Sequence, residues 1–160
     1  MTIELRERTE DHVRIYFEKT RDPEIQAMIP QTAKTAEEAV AQFEKTLLPG
    51  ATSYGRTVYA DGAYVGDIWC YCIDLQEEPN AMVSYCLFEK HFWNKGVATE
   101  ALRQFEAEIL PRFGLKSLGA FTYCDNLSSV RVLEKNGFGK MEEFTDDGRL
   151  SGYFQKETTR

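Results

Sequence analysis

Between residues 56 and 88 the chain holds three runs of strand character joined by tight turns. Residues 56–59 and 64–73 flank Asp61-Gly62, a dipeptide that accepts the positive φ angles of a two-residue hairpin. Glu77-Glu78-Pro79-Asn80 makes the next turn, and residues 81–88 form a third strand rich in apolar and aromatic side chains. Such a series makes a sheet the centre of the fold, and the flanking segments supply the helices. Upstream, residues 3–8 alternate as a first strand, and Thr9 is the N-cap of a helix with Glu10 and Asp11 in its first turn. A second helix is expected over 36–48, with Thr35 as cap, Glu38 placed as in a capping box, and Pro49-Gly50 as the stop. Residues 21–34, with two prolines, read mostly as loop.

Downstream, a loop over 91–96 precedes a helix over 97–109 that ends near Pro111. Residues 118–124 are a strand, and 126–136 a helix with Asn126 as N-cap and Gly137 at its C-terminal end. Residues 138–144 and 152–156 close the chain as a hairpin across Asp146-Asp147-Gly148. The order β-α-α-β-β-β-α-β-α-β-β describes one mixed α/β domain over 1–160, with no linker or repeat. At 160 residues that domain is long enough for one sizeable core.

Composition removes several classes of function. No apolar run approaches the roughly 20 residues of a membrane-spanning helix, and the glutamate-bearing N-terminus is not a secretory signal, so a cytoplasmic protein without membrane partners is expected. A net charge of −7 argues against nucleic acid and suits a cationic partner such as an amine. Cys70 and Cys72 share a strand face but lack the spacing of a zinc or redox pair. Only His12 and His91 could join them, so Cys70, Cys72, Cys86 and Cys124 are expected as buried free thiols, with no metal.

The chemistry concentrates in two segments. In Phe92-Trp93-Asn94-Lys95-Gly96-Val97-Ala98-Thr99-Glu100, a strand gives way to a loop with Gly and Ala two apart, and then to a helix. A helix N-terminus offers unpaired N–H groups and the positive end of the macrodipole, small residues let a diphosphate approach the backbone, and Lys95 adds charge. The same pattern also serves as a plain structural turn, and it is neither a Walker A loop nor a dinucleotide fingerprint. The second segment, Asn126-Leu127-Ser128-Ser129 through Glu134-Lys135-Asn136-Gly137-Phe138, is by itself an amphipathic helix with Val130 and Leu133 turned to the core.

Taken together and in this order, the two segments resemble the acetyl-CoA-binding core of GNAT N-acetyltransferases, a Q/R-x-x-G-x-G/A loop followed by a strand and an N-x-x-S helix. Trp93 stands where many members have Gln or Arg, which is similar to the Rim-type (ribosomal-protein acetyltransferase-like) branch. Leu5-Arg6 with Thr9-Glu10-Asp11, Asp22-Pro23-Glu24, Val65-Gly66-Asp67-Ile68 and Val83-Ser84-Tyr85-Cys86-Leu87 extend the likeness over nearly the whole chain. The resemblance implies a mostly antiparallel mixed sheet whose fourth and fifth strands splay around the pantetheine arm, flanked by helices. It implies that the N–H groups of Lys95, Gly96, Val97, Ala98 and Thr99 hold the diphosphate. Leu87 and Phe88 would offer backbone groups to pantetheine, Asn126 and Ser129 would reach the pantetheine and thiol, and Lys135 the adenosine phosphate end.

The family reaction is attack of an amine on acetyl-CoA in a ternary complex, which needs a base or water chain, a donor to the oxyanion, and a proton for the departing thiolate. Met82 and Leu133 occupy the positions where many members carry Glu and Tyr for these proton transfers. Ser129 is then the candidate thiolate partner, and Asp67, Tyr85 and Glu24 are candidates for the base. Trp69 and Tyr71 either line an acceptor cleft or pack in the core. The expected acceptor is a peptide N-terminus or a small amine, bound by a monomer or homodimer. The alternative is a non-catalytic acyl-CoA-binding or regulatory module, with which loss of the family Glu and Tyr is compatible.

Overall fold

Side-chain caps decide where the N-terminal helices begin. After β1 (Ile3–Arg6), Thr9 Oγ1 accepts from the His12 N–H and His12 Nδ1 accepts from the Thr9 N–H, a capping box that starts α1 (Glu10–Lys19). Asp22 Oδ1 accepts from the N–H groups of Glu24 and Ile25, and Pro23 occupies the first helical position, so α2 (Pro23–Met28) forms inside the stretch expected as loop. Thr35 Oγ1 takes the Glu38 N–H at 3.1 Å to start α3 (Ala36–Lys45). The Glu38 carboxylate bonds the Lys34 N–H at 2.8 Å and leaves the expected capping box incomplete. That helix ends at Lys45, before Pro49-Gly50 is reached.

β2 (Tyr54–Ala60) and β3 (Ala63–Asp74) meet at Asp61 and Gly62, both left-handed with φ of 49° and 83°. β4 (Asn80–Leu87) follows, then a 3-10 turn (Lys90–Phe92) and α4 (Val97–Phe113). Pro111 lies inside α4, giving up the bond to the Ala107 carbonyl without ending the helix; the stop is Gly114, left-handed at φ 64°. β5 (Ser117–Tyr123), α5 (Leu127–Lys135), β6 (Gly139–Asp146) and β7 (Arg149–Glu157) complete the computed structural model, which describes residues 1–29 and 31–158.

The strands form one sheet in the order β1-β2-β3-β4-β5-β7-β6. Every pair is antiparallel except β4 with β5, and that parallel register holds only for Asn80↔Ser117, Ala81↔Leu118 and Met82↔Gly119. Beyond Met82 the two strands part, so the mixed sheet with splayed fourth and fifth strands is present, flanked by helices on both faces. The pleat sends Val83 and Tyr85 toward α4 and α5, where Leu102, Phe105, Ile109, Leu118, Leu133 and Phe154 build the main core. Cys86 and Phe88 turn to the other face and pack with Ile25 of α2.

A bulge changes the cysteine reading. Cys72 sits at φ 50° where the β3–β4 register breaks between Tyr71 and Asp74, and this turns its thiol to solvent while Cys70 stays buried. Cys86 is buried and Cys124 half-buried. Burial pushes the Cys70 thiol up to about 12 and the Cys86 thiol up to about 11.

Candidate functional site

The splay leaves polar backbone groups without a neighbouring strand. The Phe88 N–H donates to the Val65 carbonyl at 2.9 Å, and Leu87 stands opposite Gly66. Antiparallel alternation then points the N–H and C=O of Ser84 and Cys86 at β3, and those of Tyr85 and Leu87 at the gap. Phe88 therefore departs from its expected role: its N–H is already used, and its side chain is buried on the face opposite the main core. The Leu87 carbonyl accepts from the Trp93 indole N–H at 2.9 Å, which ties the loop before α4 to the strand end.

Across the gap, α4 begins at Gly96, left-handed at φ 84°, with no side-chain cap. Its first helical bond runs from the Glu100 N–H to the Gly96 carbonyl at 3.1 Å, so the amides of Val97, Ala98 and Thr99 have no partner in the helix. Gly96, Val97, Ala98 and Thr99 all lie on the wall of a cleft of about 920 Å³ that runs through the splay. That size suits a substantial organic ligand. Tyr85, Leu87, Asn126, Ser129, Lys135 and Glu24 share the wall; Lys95 is exposed beside it and does not line it.

α5 supplies the other wall. Asn126 Oδ1 caps the helix by accepting the Ser129 N–H at 3.3 Å, which leaves the Ser129 hydroxyl free to meet the Tyr85 hydroxyl at 3.1 Å. The Tyr85 hydroxyl also donates to the Ser129 carbonyl at 3.2 Å. Burial raises Tyr85 well above the usual tyrosine range, by more than its bond to Ser129 lowers it. Tyr85 thus stays protonated at neutral pH, which corrects its reading as a base and makes it a donor. Two wall residues escaped the sequence reading. Ser128 Oγ donates to Asn94 Oδ1 at 2.6 Å and fastens α5 to the loop before α4, and Arg131 sits one turn before Lys135. Arg131 could have been found by its i, i+4 spacing from Lys135; the Ser128 contact spans the fold and has no local signal.

Asp67 is not on the wall. It is 1% exposed under α1, accepts from the Tyr64 hydroxyl at 2.6 Å, and faces Arg8 Nη2 at 3.0 Å. That second contact is out of hydrogen-bond alignment and leaves Oδ2 without a donor. Burial pushes its carboxyl up to about 6 against the pull of Arg8 and Tyr64. Sealed from the cleft, Asp67 cannot reach a substrate proton there, so its reading as a catalytic base is also corrected. Trp69 lines a second cleft of about 750 Å³ beside Arg8, Tyr16 and Phe43, and Tyr71 lines neither. Glu24 keeps its place on the main wall, with its carboxylate 2.9 Å from Lys90 Nζ. Among the described residues, no helix is long and apolar enough to cross a membrane.

A profile of the acetyltransferase (GNAT) domain matches residues 2–139. No curated protein matches the chain significantly by sequence. Among solved structures, the spermidine N-acetyltransferase from Vibrio cholerae in complex with CoA and spermine superposes with a TM-score of 0.84 at 14% identity, covering 97% of this chain and 95% of that one. The ribosomal alpha-N-protein acetyltransferase RimL in complex with coenzyme A gives 0.81 at 19%, covering 98% and 94%. The aminoglycoside acetyltransferase AAC(6')-Ib in complex with coenzyme A and kanamycin gives 0.79 at 17%, covering 98% and 95%. At such identities these likenesses speak to the fold, while the profile spans well over half of the 160 residues. The chain belongs to the GNAT acetyltransferase family and is an acetyl-CoA-dependent N-acetyltransferase.

Proposed function

We propose that this chain acetylates a primary amine, either a peptide N-terminus or a small amine, by direct attack while both substrates are bound. The observation that carries the reading is the pairing across one cleft of β4 backbone groups that lack a strand partner with a helix N-terminus that lacks a cap. Acetyl-CoA supplies an acyl group activated as a thioester. Its diphosphate suits the open amides of Val97, Ala98 and Thr99 beside Gly96, where a Cβ would meet no atom within 4 Å. Lys95 adds charge from outside the wall, and Lys135 and Arg131, one turn apart on the α5 wall, suit a further phosphate. The Leu87 carbonyl keeps a lone pair for the pantetheine arm beside its bond from the Trp93 indole, and Asn126 holds α5 at the right turn for Ser129 to reach the thiol.

Chemistry then falls to a few groups. The Leu87 N–H, free of β3, is the donor to the tetrahedral oxyanion; such a donor is worth about 3 kcal/mol in a dry site. Ser129 Oγ, held in place by the Tyr85 hydroxyl, donates a hydrogen bond to the departing thiolate, and the proton shed by the amine reaches that thiolate through water as CoA leaves. The attacking ammonium loses its proton to water at the open mouth beside Glu24, since Asp67 is sealed off and Tyr85 is held protonated. Orientation of two bound reactants supplies much of the remaining barrier reduction, up to about 7–11 kcal/mol. The likeness of the loop around Trp93 and Gly96 to the Rim-type branch favours a peptide N-terminus. Relatives of similar fold carry names that include spermine, an aminoglycoside and a ribosomal protein, so the acceptor is open to test.

The test is a thermal shift with acetyl-CoA, CoA and NAD, followed by thiol release over a panel of amines and peptides. A rise in melting temperature with acetyl-CoA but not NAD, with thiol release on at least one amine, is the expected result. Binding without turnover on any acceptor would point instead to a silent acyl-CoA-binding module.

A further inference from the structure

α2 packs through Ile25 on Cys86 and Phe88, on the face opposite α4 and α5, lines the cleft with Glu24, Ala27 and Met28, and is tied to segments at both strand ends. At its first turn, Lys90 Nζ, just beyond β4, sits 2.9 Å from Asp22 Oδ2 and 2.9 Å from Glu24 Oε1. At its last turn, Arg149 Nη1, at the start of β7, donates to the Ala27 carbonyl at 2.6 Å. That carbonyl is one of the orphan acceptors of a helix C-terminus, where a cation is favoured. The same guanidinium donates through Nη2 to Asp125 Oδ1 at 2.9 Å, and its carbon lies 3.6 Å from the centroid of the Tyr123 ring. Arg149 therefore joins three segments at one point: the end of α2, the end of β5, and the start of the last strand. It does not line the cleft, but Ala27 and Tyr123, which it holds, both do.

We propose that Arg149 is a positioning residue for the acceptor, fixing α2 as a bar across the acceptor side of the cleft so that the amine enters in one orientation. The inference rests on the acetyl-transfer reading above. The diphosphate-binding amides of α4 lie on the other face, so Arg149 acts on acceptor recognition and leaves acetyl-CoA binding alone. A planar fork is needed, since one group must satisfy a carbonyl and a carboxylate while stacking on an aromatic ring. Lysine, with a single ammonium, keeps the attraction to Asp125 but cannot hold both partners in plane.

The experiment compares the wild-type protein with Arg149→Met, which keeps an apolar stem over Tyr123, and with Arg149→Lys. Steady-state kinetics use the best amine from the panel, with acetyl-CoA affinity by calorimetry and amide hydrogen exchange over residues 25–29. For Arg149→Met the expected result is an acceptor KM raised about tenfold, kcat within about threefold, and acetyl-CoA affinity unchanged, as the loss of two charge-assisted bonds remote from the chemistry predicts. Exchange at Ile29, whose N–H bonds to Ile25, should quicken, and Arg149→Lys should fall between the two. An unchanged acceptor KM in an active Arg149→Met protein overturns the inference and spares the acetyl-transfer reading. So does a loss that falls equally on acetyl-CoA affinity and on melting temperature, which marks Arg149 as a structural tie only. A wild-type protein that binds acetyl-CoA but acetylates nothing in the panel sinks the acetyl-transfer reading itself, and the acceptor role of Arg149 with it.

Discussion

A Cβ on Gly96 would find open space, yet the residue sits at φ 84°, where a side chain is strained by about 1–2 kcal/mol. Glycine is thus required by the backbone in the free protein, and by close approach of a diphosphate only when ligand is bound. Gly96→Val should lower the melting temperature by a few degrees but weaken acetyl-CoA at least about tenfold in calorimetric titration. Equal affinity in wild type and variant would remove the diphosphate from this loop. The Tyr85–Ser129 contact leads to a second expectation. Tyr85→Phe and Ser129→Ala should each lower kcat about 10- to 100-fold with little change in the KM for acetyl-CoA. Because one hydroxyl holds the other in place, the double variant should be no worse than the weaker single. Losses that simply multiply would show two groups acting apart.

At the scale of elements, the close approach of β3 to β4 positions the gap. A Cβ on Gly66 would lie 2.2 Å from the Cys86 carbonyl oxygen and 2.8 Å from Leu87 Cα, so the strands cannot keep their spacing around an alanine. Gly66→Ala should cost about 1–3 kcal/mol or more in denaturant unfolding and should shift Leu87, weakening acetyl-CoA although Gly66 is not on the wall. A variant with full affinity would mean that the end of β4 does not hold the cosubstrate. Elements of this kind were legible where their signals are local: Thr9 and Asn126 as caps, Asp61-Gly62 as a turn, and Gly137 as a stop. α2 was not, because six residues with a proline carry little helical periodicity and the helix is secured by Lys90 and Arg149, distant in sequence. Nor does alternation in a strand say which face meets the cleft, which leaves Asp67 open as a base, and the likeness that implies a pantetheine role for Phe88 does not show that its N–H is taken by Val65. The bulge that exposes Cys72 breaks the period on which its burial was argued. The splay itself came from the likeness of two motifs, since nothing in the periodicity of either strand announces where pairing stops.

Over the whole molecule, the charge of −7 is carried mainly by solvated carboxylates, and it favours approach of a cationic acceptor in a salt-dependent way. Glu106, paired with Lys156, and Asp67 are buried instead, and Asp67, beneath α1, holds Arg8 and Tyr64 and so joins β1's flank to β3. Its folded value of about 6 lies above the 3.8 of an unperturbed aspartate, since burial outweighs its two partners. Between those values the folded chain binds more protons than the unfolded one, so this group makes stability fall as pH rises from about 4 to about 6. A carboxyl held about two pH units above its unfolded value changes stability by about 3 kcal/mol over that window. Asp67→Asn removes the titration, and the pull of Arg8 on the charged carboxyl, already contained in the folded value of about 6, adds no separate pH dependence. Unfolding free energies of both proteins, measured by denaturant at half-unit steps from pH 4 to pH 7, should therefore converge or cross: the variant is expected to gain about 3 kcal/mol on the wild type as pH rises. Parallel curves would show that Asp67 titrates alike in the folded and unfolded chains, with Arg8 and Tyr64 fully offsetting its burial.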